Sequence, residues 1–206
     1  MEEQLLVTSA QRGNQNAFAQ LVEMYQTPVY NLAYRMLGNV NDAEDAAQET
    51  FLRACSQLNR FHADQKFATW LLSIAAHHCI DRLRRRKRLT WLSLDDDAFG
   101  ESLASDAPEP DDEALRHESQ QEIERLLERL TPANRLVVVL RYWYDQSIEE
   151  IARTTGDSAG AVKVKLHRAR QALAREMTTD GRLPTAEFAV VSRQPPAVSK
   201  GVSHAK

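Results

Sequence analysis

The stretch SIEEIARTTGDSAGAVKVKLHRARQAL, Ser147–Leu173, holds two helical patterns separated by a short polar break. Ile148, Ile151 and Ala152 make one short apolar face. In the break, Gly156 can adopt a left-handed turn, and Asp157 or Ser158 can cap a second helix. Val162, Leu166, Ala169 and Leu173 then recur at helical spacing, a stripe that faces inward. Lys163, His167 and Arg170 occupy one flank of that second helix, and Lys165 and Arg168 point outward beside them. A short helix, a tight polar turn and a second helix with one buried and one cationic side make a helix-turn-helix. The N-terminal half of such a helix is placed to meet base edges, and cations further along can reach phosphates.

The segment just upstream supplies support for this unit. Leu126, Leu127 and Leu130 give one helix an apolar side, and Pro132 suits the first turn of another. Leu136, Val137, Leu140 and Trp143 then close a small core.

The cations of the second helix do not reflect the whole chain, whose formal net charge is −3 over 206 residues. Any pull on nucleic acid is therefore local. Charge and composition change along the sequence in a way that divides it. Residues 1–88 read as a helical domain ending in DRLRRRKR, and 89–118 as an acidic linker with too little apolar surface to fold. Residues 119–178 form the helix-turn-helix domain, and 179–206 read as a disordered tail with Pro, Ser and Lys. The expected fold is all-α: two small helical domains joined by a flexible acidic linker, the second a helix-turn-helix domain.

Three helical patterns fill the first domain. Phe18, Leu21, Val22, Tyr25, Val29, Leu32 and Met36 lie at helical intervals, with Pro28 expected at a break or kink and Gly38 at the end. The next helix has Asn41 as its expected cap, with Glu44 closing a capping box. Ala43, Ala47, Phe51, Ala54 and Leu58 form its apolar stripe. Asp45, Gln48, Glu49 and Arg53 project elsewhere. A third helix carries Phe67 and Trp70 near its start and the run from Arg82 to Arg88 at its end.

Several classes are set aside. Cys55 and Cys79 lie far apart, without a CxxC motif, which suits a reducing compartment. His77, His78 and Cys79 are adjacent on a helix and point in different directions, a poor chelate, so no metal is expected. No Gly-rich phosphate loop and no nucleophile–base pair is visible, so neither a catalytic residue, a cofactor nor a small-molecule substrate is expected. The N-terminus has no apolar signal segment, and no stretch approaches the ~20 apolar residues of a membrane span.

Three motifs in order, DAEDAAQETFLRA, FATWLLSIAAHHCIDRLRRRKR and the segment from LTPANRL to ARQAL, resemble the extracytoplasmic-function (ECF) group of bacterial RNA polymerase sigma factors, of the sigma-70 family. The resemblance covers about residues 12–178. It implies a protein that binds core RNA polymerase and directs promoter recognition, promoter melting and transcription initiation. It places Asp42, Glu44, Asp45, Gln48, Glu49 and Arg53 on the core polymerase. Helix-dipole complementarity accounts equally for Asp42 and Glu44, and ordinary surface for Glu49.

For the minus-ten element, the resemblance assigns Phe67, Trp70, His77, Asp81, Arg82, Arg84, Arg85 and Arg86. Phe67 and Trp70 suit stacking on an unstacked base as well as they suit a core. For the minus-thirty-five element it assigns Ser158, Ala161, Lys163, Val164, Lys165, His167, Arg168 and Arg170. Asp95, Asp96, Asp97, Asp111, Asp112 and Glu113 of the linker would thread toward a basic polymerase channel, or simply keep the linker solvated. An anti-sigma partner and a cytoplasmic location, at times held at the membrane by that partner, are implied too.

The chain also departs from the family pattern. His77 stands where an Asn is common. The common GTVKSRL is GAVKVKL here, so Ala161 and Val164 lack hydroxyls and Lys165 replaces an Arg able to fork to guanine. The promoter sequence therefore does not carry across. The rival reading is a helix-turn-helix regulator acting without polymerase, which would bind palindromic sites as a dimer and leave the first domain without a task.

Overall fold

The computed structural model describes residues 2–62, 64–92 and 121–179. The linker carboxylates from Asp95 to Glu113 and the expected tail from 180 onward lie outside the described residues. Among the described residues every regular element is a helix. In chain order these are α1 (Glu2–Gln11), α2 (Gln15–Leu37), α3 (Val40–Gln57), a 3-10 turn (Leu58–Arg60) and α4 (Phe67–Leu92). Then follow α5 (residues 121–128), α6 (Pro132–Trp143), α7 (Ile148–Thr155) and α8 (Ala159–Thr179).

The helix ends follow local chemistry. Asn14 caps α2 by accepting the Ala17 N–H, and Gly38 ends it in the left-handed region at φ +70°, its N–H donating to the Tyr34 carbonyl at 2.8 Å. Thr131 caps α6 with Pro132 in the first turn, as expected from sequence. Ser147 and Glu150 form a capping box at α7, and Gly156 ends that helix at φ +72°.

Three expectations change. Asn39, not Asn41, caps α3, because the helix starts at Val40 and puts Asp42 at the third position, whose N–H the Asn39 side chain accepts. Pro28 does not interrupt α2, which runs unbroken through it. The Pro28 carbonyl instead accepts the Tyr144 hydroxyl at 2.5 Å. α4 also continues to Leu92, four residues into the stretch expected as linker.

In the first module α2 is the hub, packing on α1, α3 and α4. Leu21, Val29, Leu32 and Met36 of α2 meet Leu71, Leu72, Ala75 and Ala76 of α4 and Ala43, Ala46 and Ala54 of α3 in one buried cluster. Small residues on α3 let that helix approach closely. Thr50, also buried there, donates to the Ala46 carbonyl at 2.7 Å, so its hydroxyl is satisfied. In the second module α6 is buried almost all round, from Arg135 to Leu140. Ile151 of α7 and Val162, Leu166, Ala169 and Leu173 of α8 close over it. An eight-residue helix such as α7 is too short to persist alone, so burial of Ile151 holds it in place.

The two modules share an interface that no local pattern announces. α6 packs on α2, and both α6 and α7 pack on α4. Arg135 donates through Nη1 to the Met36 carbonyl at 2.6 Å and through Nε to the Leu127 carbonyl at 2.7 Å. The Arg35 guanidinium lies 5.0 Å from the Trp143 ring centre. Tyr34 donates to Glu124 at 3.3 Å, and Lys66 to Glu150 at 2.7 Å.

Gly38 sits at this seam. A Cβ there would lie 2.9 Å from Glu128 Oε1, a flexible side-chain end that can move, but the positive φ would remain. Gly38→Ala is expected to lower stability by about 1–2 kcal/mol, read from the urea midpoint.

Candidate nucleic-acid interface

Three surfaces carry the residues singled out from the sequence. The first is the exposed side of α3. Glu44, Asp45 and Gln48 are exposed on it, with Leu52 and Cys55 continuing the same face. Glu49 is half-buried and accepts from Arg53 Nε one turn on, at 2.6 Å. Asp42 faces α4 and pairs with Arg82, which also reaches Asp45 at 3.4 Å. The fold therefore joins two sets that the sequence kept apart. Arg82, expected on phosphate, neutralises the first turn of α3.

The second surface is α4. Phe67 is only 3 % exposed and belongs to the core, so the packing reading describes it here and no ring face is open to a base. It meets Tyr25, Phe61 and Trp70 at ring-centre distances of 5.5 Å in each case. Trp70 is half-buried and keeps an open side. His77 is exposed, its Nδ1 2.6 Å from the Ser73 carbonyl. A carbonyl only accepts, so that nitrogen carries a proton. His78 is half-buried with Nε2 unpartnered, and burial together with Arg53 lowers its pKa. The buried Cys79 thiol is pushed up to about 12 by desolvation and is inert. At the basic end, Asp81, Arg84, Arg85 and Arg86 are exposed, with Arg84 3.8 Å from Asp81. Lys87 and Arg88, left out of the assigned set, line the same shallow groove as Asp81, Arg84 and Arg85. The i, i+4 relation of Arg84 to Arg88 was the available signal.

The third surface is α8. Ser158 caps it, accepting the Ala161 N–H at 3.2 Å. Lys163, Val164, His167 and Arg168 are exposed, and Ala161 is half-buried. Two assigned cations have other tasks. Lys165 turns back to Asp157 at 2.5 Å, although an outward position was expected. Burial alone would raise the Asp157 pKa, but hydrogen bonds from Lys165 and Thr155 outweigh it and the net shift is downward. Arg170 donates through Nε to the Tyr142 hydroxyl at 3.1 Å. What remains open is a compact patch of Lys163 and Arg168 with His167 between them.

Two family models match this chain, Sigma-70 region 2 over residues 21–89 and Sigma-70 region 4 over residues 120–173. ECF RNA polymerase sigma factor SigW of Bacillus subtilis is 35 % identical over 178 residues, which cover 83 % of this chain and 94 % of SigW. The chain belongs to the ECF sigma factors. The RNA polymerase sigma-H factor of Pseudomonas aeruginosa is 32 % identical over 177 residues, covering 84 % of this sigma factor and 92 % of its relative. The solved structure of CnrH in complex with the cytosolic domain of CnrY superposes with a TM-score of 0.64 at 26 % identity, covering 87 % of this sigma factor and 99 % of CnrH. Each matched region falls within one of the two helical modules.

Glu150 joins the modules and carries a pH signature. The hydrogen bond from Lys66, with those from Ser147, brings its carboxyl down to about 2. A depressed carboxylate stabilises the fold above its unfolded pKa near 4.5 and loses that contribution as pH falls toward 2. Lys66→Ala is expected to be less stable than the native chain above pH 5, with the difference closing by about pH 2. Urea midpoints measured across that range check this.

Proposed function

We propose that this sigma factor binds core RNA polymerase through the exposed face of α3 and presents α4 to the minus-ten element and α8 to the minus-thirty-five element. Glu44, Asp45, Gln48 and Glu49 supply the polymerase face. Trp70, His77 and the cations from Arg84 to Arg88 act at the upstream edge of the melted DNA. Lys163, His167 and Arg168 meet the minus-thirty-five duplex, with Ser158 and Ala161 at the helix start. The observation that carries this is the α8 surface: among the described residues no carboxylate pairs with Lys163 or Arg168, while one half-turn away Lys165 is paired. Charge left unpaired beside paired charge is a phosphate-facing surface.

The elements are about 25 base pairs apart, ~85 Å at 3.4 Å per base pair. Holding both requires α7 to leave α4 and the modules to separate. The 28 residues from 93 to 120 can span up to ~95 Å at full extension, enough to allow it. Tethering the second contact raises its effective concentration, so weak modules suffice. An anti-sigma factor that holds the packed form would oppose this separation. The protein performs no chemistry of its own and works in the cytoplasm.

Run-off transcription with purified core polymerase on genomic fragments tests the reading. Promoter-dependent products that require the added chain support it. Specific binding of free DNA by a dimer, with no product under any condition, would sink it in favour of a polymerase-independent regulator.

A further inference from the structure

Val164 stands out on α8. It is 48 % exposed, and single exposed valines are ordinary on protein surfaces. Three observations set this one apart. First, Lys163 precedes it and His167 and Arg168 lie one turn on, all three exposed, so the lone apolar group sits inside a largely basic patch. Second, the turn before it is bare. Gly160 is exposed, and a Cβ there would meet only Ser158 Oγ, at 3.9 Å. Helical side chains lean toward the N-terminus, so the Val164 methyls lie over that bare turn. A base edge can approach there without meeting another side chain. Third, Lys165, the next residue able to read guanine, is held by Asp157 at 2.5 Å.

Lys165 is thus withdrawn from the groove, and an apolar side chain is left forward beside it. In the major groove the single apolar group is the thymine 5-methyl. We infer that Val164 reads a thymine in the minus-thirty-five element by packing against its 5-methyl group, over the bare turn at Gly160. This rests on the placement of α8 at that element given above. Lys163, His167 and Arg168 hold phosphates around the contact and set its register.

The test uses the full chain with core polymerase. Upstream elements are first selected from duplexes randomised across the minus-thirty-five region. Each thymine in the selected element is then replaced by uracil, which removes the methyl and nothing else. The expected result is a loss of holoenzyme affinity of about fourfold at one or two positions, the value of one buried methyl. Val164→Ser is expected to bind the thymine and uracil duplexes equally and to relax selection at that position alone. Uracil tolerated at every position, or a selected element without thymine, overturns the inference and leaves α8 as the recognition helix. Failure to select any element overturns that placement as well.

Discussion

Arg135→Ala is expected to lower the stability of the folded chain by about 3 kcal/mol, the largest effect of any single substitution outside the apolar core. The side chain is buried and makes two charge-assisted hydrogen bonds, to Met36 O in the last turn of α2 and to Leu127 O in the last turn of α5. Both carbonyls belong to the group that a helix leaves unpaired at its C-terminus. One guanidinium therefore satisfies two helix ends from different modules and faces the negative end of both dipoles. Burial lowers its pKa, yet an arginine remains charged. Alanine would leave the Met36 carbonyl without this donor, while Leu127 O would keep the Leu130 N–H at 3.1 Å. Arg135→Lys is expected to recover less than half of the loss, since an ammonium cannot fork to both carbonyls. Urea denaturation of the three proteins checks this. Equal midpoints for native and Ala chains would mean that water replaces the guanidinium without loss. Because Met36 lies across the seam, the Ala chain should also separate its modules more readily.

Replacing Arg84, Arg85 and Arg88 together by alanine is expected to leave folding unchanged and to reduce the salt dependence of promoter binding. All three are exposed at the end of α4, and Arg84 has only a weak 3.8 Å pairing with Asp81. Substitutions at such positions move stability by about 0.5 kcal/mol or less. Each phosphate contact releases counterions, so removal of three should reduce the slope of log K against log salt by about 2.7. A fourfold rise in salt would then cost about fortyfold less affinity in the variant than in the native holoenzyme. Arg82→Ala is the informative contrast. Its guanidinium already holds Asp42 and Asp45, so its loss should act on α3 packing more than on the salt slope. An unchanged slope in the triple variant would remove the basic end of α4 from the DNA surface.

The sites divide along the same line. Cations assigned from the sequence stay exposed where no carboxylate among the described residues reaches them, as at Lys163, Arg168 and Arg85. A distant acid or ring reaches others, Asp42 at Arg82 and Tyr142 at Arg170. Arg82 and Asp42 are forty residues apart, and Arg170 and Tyr142 twenty-eight, so no local spacing could announce those pairs. Phe67 and Trp70 looked alike in sequence, three residues apart on one helix. Only the arrival of Phe61 and Tyr25 buries the first and leaves the second half-open. The capping box at Ser147 is visible in the sequence as S-x-x-E, while the cap expected at Asn41 falls on Asn39.

By itself the sequence determined the helices after α1, the turn at Gly156, the inward stripe of α8 and the division into two modules. Each depends on residues within a few turns of one another, where periodicity, caps and breakers act directly. The tertiary structure alone decided how the modules meet, which cations stay free and that Arg135 ties two helix ends together. Those outcomes depend on groups distant in sequence competing for the same partners, and only the folded chain brings the competitors within reach.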